Sequence, residues 1–143
     1  MITNLAVTTI YVLDKDEALD FYVNKLGLEV ADDFTQGSYR WLTVRVPGGP
    51  GTVVNLEEPG PPLHDEATGA HLRELVTKGA LNGLVFHTDD TRALYETLMA
   101  RGVTDVTQEP TDHFYGTDIG IRDPSGNAIR ILQPKQMAAE ATA

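Results

Sequence analysis

The chain repeats itself. Moved along by 75 positions, Asp14 falls on Asp89, Ala18 on Ala93, Leu19 on Leu94, Gly27 on Gly102, Gly51 on Gly126 and Pro59 on Pro134. The matches fall on residues that punctuate structure: helix caps, helix stops and turns. A single match is cheap, but six in one register describe two copies of a unit ordered strand, helix, strand, strand, strand. An open sheet of that size does not bury its own face, so two such units are expected to pack or pair around a shared cavity. The 143 residues suit one ordinary domain or two small modules with a common core.

The local reading fills in each copy. Val7 to Leu13 is rich in β-branched and aromatic residues and reads as a strand. Asp14 reads as a helix N-cap with Glu17 as its capping-box partner, Ala18, Leu19, Tyr22 and Leu26 make an apolar face, and Gly27 stops the helix. Strands are expected from Glu29, over Tyr39 to Val46, and over Thr52 to Glu57, with Pro47 to Gly51 as a turn. Asp65 to Lys78 reads as a helix with Leu72, Leu75 and Val76 facing inward. The second copy runs through a strand at Leu84 to His87, a helix capped by Asp89 or Asp90 and ended by Gly102, and strands at Val103 to Glu109, Tyr115 to Arg122 and Ala128 to Gln133. Before the last of these stands Asp123-Pro124-Ser125-Gly126-Asn127, a turn by composition, which launches Arg130 inward on a buried strand. The boundaries are a first module at 1–58, a linker with a helix at 59–80, a second module at 81–133 and a frayed tail at 134–143.

Composition excludes several classes of function. The chain is 41% hydrophobic and 22% charged, as a soluble globular protein is, and no apolar run approaches the ~18 residues of a membrane helix. The first residues lack a basic stretch followed by an apolar signal core, so the expected location is cytoplasmic. There is no cysteine, which excludes disulfides, thiolate metal sites and cysteine nucleophiles. A net charge of −10 argues against nucleic acid and anionic membrane as partners.

The stretches Val12-Leu13-Asp14, Ala18-Leu19-Asp20-Phe21-Tyr22 and Leu26-Gly27-Leu28, then Ala93 with Gly102-Val103, then Asp123-Pro124-Ser125-Gly126-Asn127 resemble the vicinal oxygen chelate superfamily. This is the glyoxalase, bleomycin resistance protein and extradiol dioxygenase family, and the resemblance covers about residues 5 to 133. It implies an α+β fold of two βαβββ modules in tandem, a paired half-barrel around a cup-shaped cavity. It also implies a homodimer, and leaves open whether modules pair within one chain or between two. Metal-using members carry His and Glu ligands on the first and last strand of each module. Those positions here are Val7, Asn55, Asn82 (or Gly83) and Arg130, and they depart from the metal pattern throughout. The expectation is therefore no metal and no cofactor. His64 and His71 offer no substitute, since seven residues of helix separate them by about 10 Å.

The candidate ligand-binding residues are Arg130, Asn55, Tyr11, His87, His113 and Tyr115. Arg130 could clamp an oxyanion, or form a buried pair with Glu57. Asn55 could bond a ligand or neighbouring backbone. His87 and Tyr11, on matching strands, could work on a ligand or simply pack. His113-Phe114-Tyr115 could rim a cavity, make a dimer contact or pack its own loop. Trp41 reads as core or interface, and Asp32-Asp33 and Glu57-Glu58 as solvated strand ends. No catalytic residue is assignable. The expected partner is a small organic ligand, bound without metal, with sequestration of a drug or toxic metabolite as the use. The alternatives are a glyoxalase-like lyase or isomerase, or a dioxygenase, on a displaced metal or acid–base residues, and a homodimeric interaction subunit with a filled cup.

Overall fold

In the computed structural model, which describes residues 1–135, Asp14 turns extended backbone into helix. Its φ of −147° and ψ of 120° are those of a strand, and its carboxylate accepts the Glu17 N–H at 2.9 Å. Asp65 and Asp90 do the same for the two later helices, accepting from Thr68 and Ala93. The elements are β1 (Val7–Tyr11), α1 (Lys15–Leu19) continuing as a π-helical segment (Asp20–Lys25), β2 (Glu29–Gln36), β3 (Tyr39–Arg45), β4 (Val53–Glu57), α2 (Glu66–Thr77), β5 (Leu84–His87), α3 (Thr91–Ala100), β6 (Val106–His113), β7 (Gly116–Arg122) and β8 (Ala128–Pro134). Two mixed four-stranded sheets result, with orders β1-β4-β3-β2 and β5-β8-β7-β6. This is the expected α+β architecture of two βαβββ modules. The tail beyond Lys135 lies outside the described residues.

The described residues divide into two compact units, 1–82 with 124–127 and 83–123 with 128–135. In the first, β1 pairs with β4 in parallel, and β4 with β3 and β3 with β2 antiparallel. The helix-covered face holds Val12, Tyr22, Leu42, Val44 and Leu56, all fully buried. The Pro124–Asn127 turn belongs to this unit. Ser125 Oγ accepts the Leu13 N–H at 2.8 Å and Asn127 Nδ2 donates to Tyr11 O at 2.7 Å. Gly126, at φ 112°, lies where a Cβ would meet Val76 O at 2.6 Å, so the turn needs glycine for both angle and space. In α2, Val76 is fully buried, Leu72 is partly so and Leu75 is exposed, contrary to the expected inward trio.

The second unit repeats the order, with β5–β8 parallel and β8–β7–β6 antiparallel. Ile119, Ile121 and Ile129 are fully buried on the face that α3 covers with Leu98. β6 begins three residues later than expected. Val103 completes the helix stop instead, its N–H donating to Leu98 O at 3.1 Å beyond Gly102 at φ 87°. The β6 register slips between Gln108 and Thr111, where Pro110 has no N–H to give an edge strand.

Candidate functional site

Strand alternation gives each sheet a second face, opposite its helices. Cross-strand partners share a face, so the register alone sorts the residues. In the first unit, Thr9 lies beside Asn55, Asn55 beside Thr43 and Thr43 beside Asp32. In the second, Val85 lies beside Arg130, Arg130 beside Gly120 and Gly120 beside Gln108. His87 and Asp118 flank Leu132 on the same face.

The first face is built around a buried carboxylate. Glu57 takes the Lys15 ammonium at 3.5 Å, the Tyr39 hydroxyl at 2.6 Å and Asn55 Nδ2 at 3.2 Å. Lys15 also donates to Arg40 O and sits 5.0 Å from the Tyr39 ring centre. The Lys15 and Glu57 side chains are only 8% and 6% exposed. Burial, then the hydrogen bond to Glu57, pushes the Tyr39 phenol up to about 12, because phenolate is disfavoured there. Asn55 Nδ2 lies 3.3 Å from Thr9 Oγ1, while Asn55 Oδ1 is a buried acceptor with no donor among the described residues. A cavity of about 210 Å³ opens beside this network, lined by Lys15, Tyr39, Arg40, Glu57, Glu58 and Pro62 among others. Arg40, on its wall, bonds Asp33 at 2.9 Å and Asp16 at 2.7 Å. Its hydrogen bond holds the Asp33 carboxyl below its ordinary range, and the guanidinium is correspondingly raised.

Tyr11 ends β1 on this face. Gly60 donates its N–H to His64 Nδ1 at 3.2 Å, which leaves the ring proton on Nε2. His64 therefore donates to the Tyr11 hydroxyl at 3.3 Å.

The second face is built around Asp118, whose side chain is 4% exposed. Its Oδ1 accepts from Gln108 Nε2 at 2.6 Å and from His113 Nε2 at 2.9 Å, and its Oδ2 lies 3.6 Å from Arg130 Nε. Arg130 Nη2 reaches Gln108 Oε1 at 3.0 Å. The Arg130 side chain is 41% exposed, so the cation is presented while its counter-charge is hidden. His113 stacks on Tyr115 with ring centres 4.8 Å apart and planes 3° from parallel. Phe114, 77% exposed, meets Tyr115 edge-on.

Several expectations change. Arg130 is not carried into the core; Ile129 and Ile131 take those places and Arg130 stands on the other face. Its partners are Asp118 and Gln108, while Glu57 is satisfied by Lys15, Tyr39 and Asn55, so the expected Arg130–Glu57 pair is replaced by one pair in each unit. Glu57 is buried and not a solvated strand end. Asn55 bonds side chains rather than backbone. His87 is exposed on the Arg130 face. Sequence reasoning missed Lys15, Tyr39, Gln108, Asp118 and Gly120, and weighed His64 only as a metal ligand. The signals were a lysine at the positive end of a helix and an aspartate and glycine alternating with isoleucines.

The residues at the family's metal positions do not fit a divalent ion. Val7 pairs with Val53, and the neighbours of Asn55 and Arg130 on the first strands are Thr9 and Val85. Val85 has no donor atom, Thr9 only a neutral hydroxyl, and the guanidinium repels a cation. At Gly83 any Cβ would stand 1.7 Å from Ala128 O, so the backbone itself excludes a ligand-bearing side chain. Among the described residues no three His, Asp or Glu side chains gather as a metal-binding group.

Comparison with known proteins agrees with this architecture. The solved structure of UcmS2 is 45% identical, with a TM-score of 0.86, over 92% of this chain and 98% of that one. TnmS3, an antibiotic binding protein from Streptomyces sp. CB03234, is 30% identical with a TM-score of 0.74, over 94% of this chain and 98% of that one. The uncharacterized protein YurT of Bacillus subtilis (strain 168) is 35% identical over 130 residues, 90% of this chain and 98% of its own. The model of the Glyoxalase/Bleomycin resistance protein/Dioxygenase superfamily matches residues 4–131, and the chain belongs to that superfamily.

Proposed function

We propose that the protein is a metal-independent receptor for a small organic molecule, held on the open sheet faces and sequestered rather than turned over. The observation that carries this is Arg130, a guanidinium tied to Asp118 and Gln108 where a metal-using relative needs a ligand. Asn55, whose buried oxygen has no donor among the described residues, would take an N–H or O–H from such a molecule. The likeness to an antibiotic binding protein supports a drug-like or toxic ligand. Arg130, Asn55, Tyr11, His87, His113 and Tyr115 are the proposed contacts, on modules at 1–58 and 81–133. By family resemblance the protein works as a cytoplasmic homodimer. No helix among the described residues is long and apolar enough to cross a membrane.

One observation favours a second reading. His113 Nε2 on Asp118 at 2.9 Å is an acid–base pair, which a lyase or isomerase of this family without a metal would use. A thermal-shift screen of aromatic antibiotics, with and without chelator, separates receptor from metalloenzyme. A ligand present at 100 times its dissociation constant adds about 2.7 kcal/mol of stability. The expected result is the same rise in melting temperature in both arms. A rise that the chelator abolishes ends the metal-independent reading, and release of a changed product favours the lyase or isomerase.

A further inference from the structure

Gly120 is the only glycine flanked by buried isoleucines in β7, and its backbone angle does not require glycine, since it is absent from the positive-φ residues. A glycine inside a strand is costly and signals that something else needs the room. Here the room is taken by two side-chain ends. A Cβ on Gly120 would stand 2.7 Å from Arg130 Nη1 and 2.6 Å from Thr107 Oγ1. Arg130, Gly120 and Gln108 form one row across β8, β7 and β6. Because Arg130 Nη2 bonds Gln108 at 3.0 Å, its side chain spans the row and passes over the glycine. The guanidinium thus lies along the sheet and does not project from it.

This placement has a chemical consequence. Of the guanidinium's donors, Nε faces Asp118 and Nη2 gives one bond to Gln108, while Nη1 makes no hydrogen bond to the described residues. Asp118 is also the acceptor for His113, so Arg130 and the parallel His113–Tyr115 stack flank one carboxylate. A cation lying flat beside a stacked aromatic pair suits a ring that carries an oxyanion, because guanidinium stacks on π-faces and pairs oxyanions through its N–H groups.

We propose that Gly120 seats Arg130 across the sheet, and that the face so formed binds a planar aromatic acid, with the acid on Arg130 and the ring beside His113 and Tyr115. Gly120 is a positioning residue and Arg130 the binding residue. This deepens the receptor reading and rests on it. The test is fluorescence titration of the full-length protein with 2-naphthoate and with the uncharged 2-naphthalenemethanol. The wild type is expected to prefer the acid by tenfold or more, and Arg130→Met to erase that preference. Gly120→Ala should cut the preference at least fivefold with little change in melting temperature, since Arg130 Nη1 is the far end of a flexible side chain that swings away and Thr107 clears its Oγ1 by one χ1 rotation. In the Arg130→Met background Gly120→Ala should change nothing further. The Arg130 Nε–H resonance in 15N NMR, read without ligand, should shift in Gly120→Ala while the remaining spectrum is kept. An unmoved Arg130 resonance, or an equal loss in both backgrounds, overturns the seat. A wild type that binds neither probe, or both alike, overturns the aromatic acid. The receptor reading is judged separately, by the chelator-insensitive thermal shift.

Discussion

The two sheets answer the same problem differently. Each has a carboxylate on its open face, Glu57 in one and Asp118 in the other, and each supplies a cation to hold it. In the first unit the cation is buried with the carboxylate, and the row Thr9, Asn55, Thr43, Asp32 is filled by short polar side chains, Thr43 donating to Asp32 at 2.9 Å. In the second the row is Val85, Arg130, Gly120, Gln108, and one long side chain lies over a glycine with its charge half open. One copy of the repeat has closed its charges into a structural network, with Asn55 Oδ1 left as an acceptor that no described residue fills. The other keeps a presented cation over a hidden anion, the arrangement a binding surface needs. The difference lies in the residue beside the repeat-equivalent pair Asn55 and Arg130: threonine seals the row, glycine leaves it a floor.

The largest effect expected from this contrast is on stability in the first unit. Lys15→Met leaves Glu57 buried with only neutral donors, which costs about 3–5 kcal/mol. Adding Glu57→Gln removes the stranded charge and should recover part of the loss. Urea denaturation measures both. A loss under about 1 kcal/mol for Lys15→Met would mean that the pair is not sealed and that the two faces are alike.

Much of the fold was legible because caps, stops and alternation are local. Asp14, Asp65, Gly27 and Gly102 act where the sequence places them. The misses came from tertiary choices. Val103 looked like the start of a strand because it is apolar, but the Gly102 stop uses its N–H and buries its side chain. Lys15 stands in the first turn of a helix, with no local pattern that marks it as buried. Yet a cation is unfavourable at that end of a helix, and this was a hint that its charge is spent elsewhere. Arg130 stands out in the sequence, but its partners lie in its own copy of the repeat and not at Glu57 in the other. Asp118 and Gly120, two and no residues along from Arg130's own cross-strand neighbour, were readable from Thr-Asp-Ile-Gly-Ile, where the isoleucines claim one face and leave aspartate and glycine the other.

Tyr39 sharpens the comparison from the side of protons. Tyr39→Phe removes a hydrogen bond to an ionised group and should cost about 1.5 kcal/mol at neutral pH. The folded phenol titrates at about 12 against an ordinary value of 10.0, so the native state keeps a proton there that the unfolded chain releases. Stability from this group is whole below about pH 10 and is lost as pH rises through about 12. The wild type should therefore lose stability across that window more steeply than Tyr39→Phe. Equal slopes would show that the phenol is not held against Glu57.

The smallest stability effect belongs to Arg130, and that smallness is the sharpest test. If the second face is for binding, removing its cation should hurt the fold little. Asp118 keeps Gln108 and His113 as donors, and a side chain 41% exposed contributes little as an ion pair in water. Arg130→Met should change stability by no more than about 1 kcal/mol in urea while abolishing the preference for the aromatic acid. A loss near that of Lys15→Met would make Arg130 a second Lys15, a structural cation whose exposure has no use. A small loss of stability together with lost binding would leave the two halves of the repeat doing different work with the same pairing of charges.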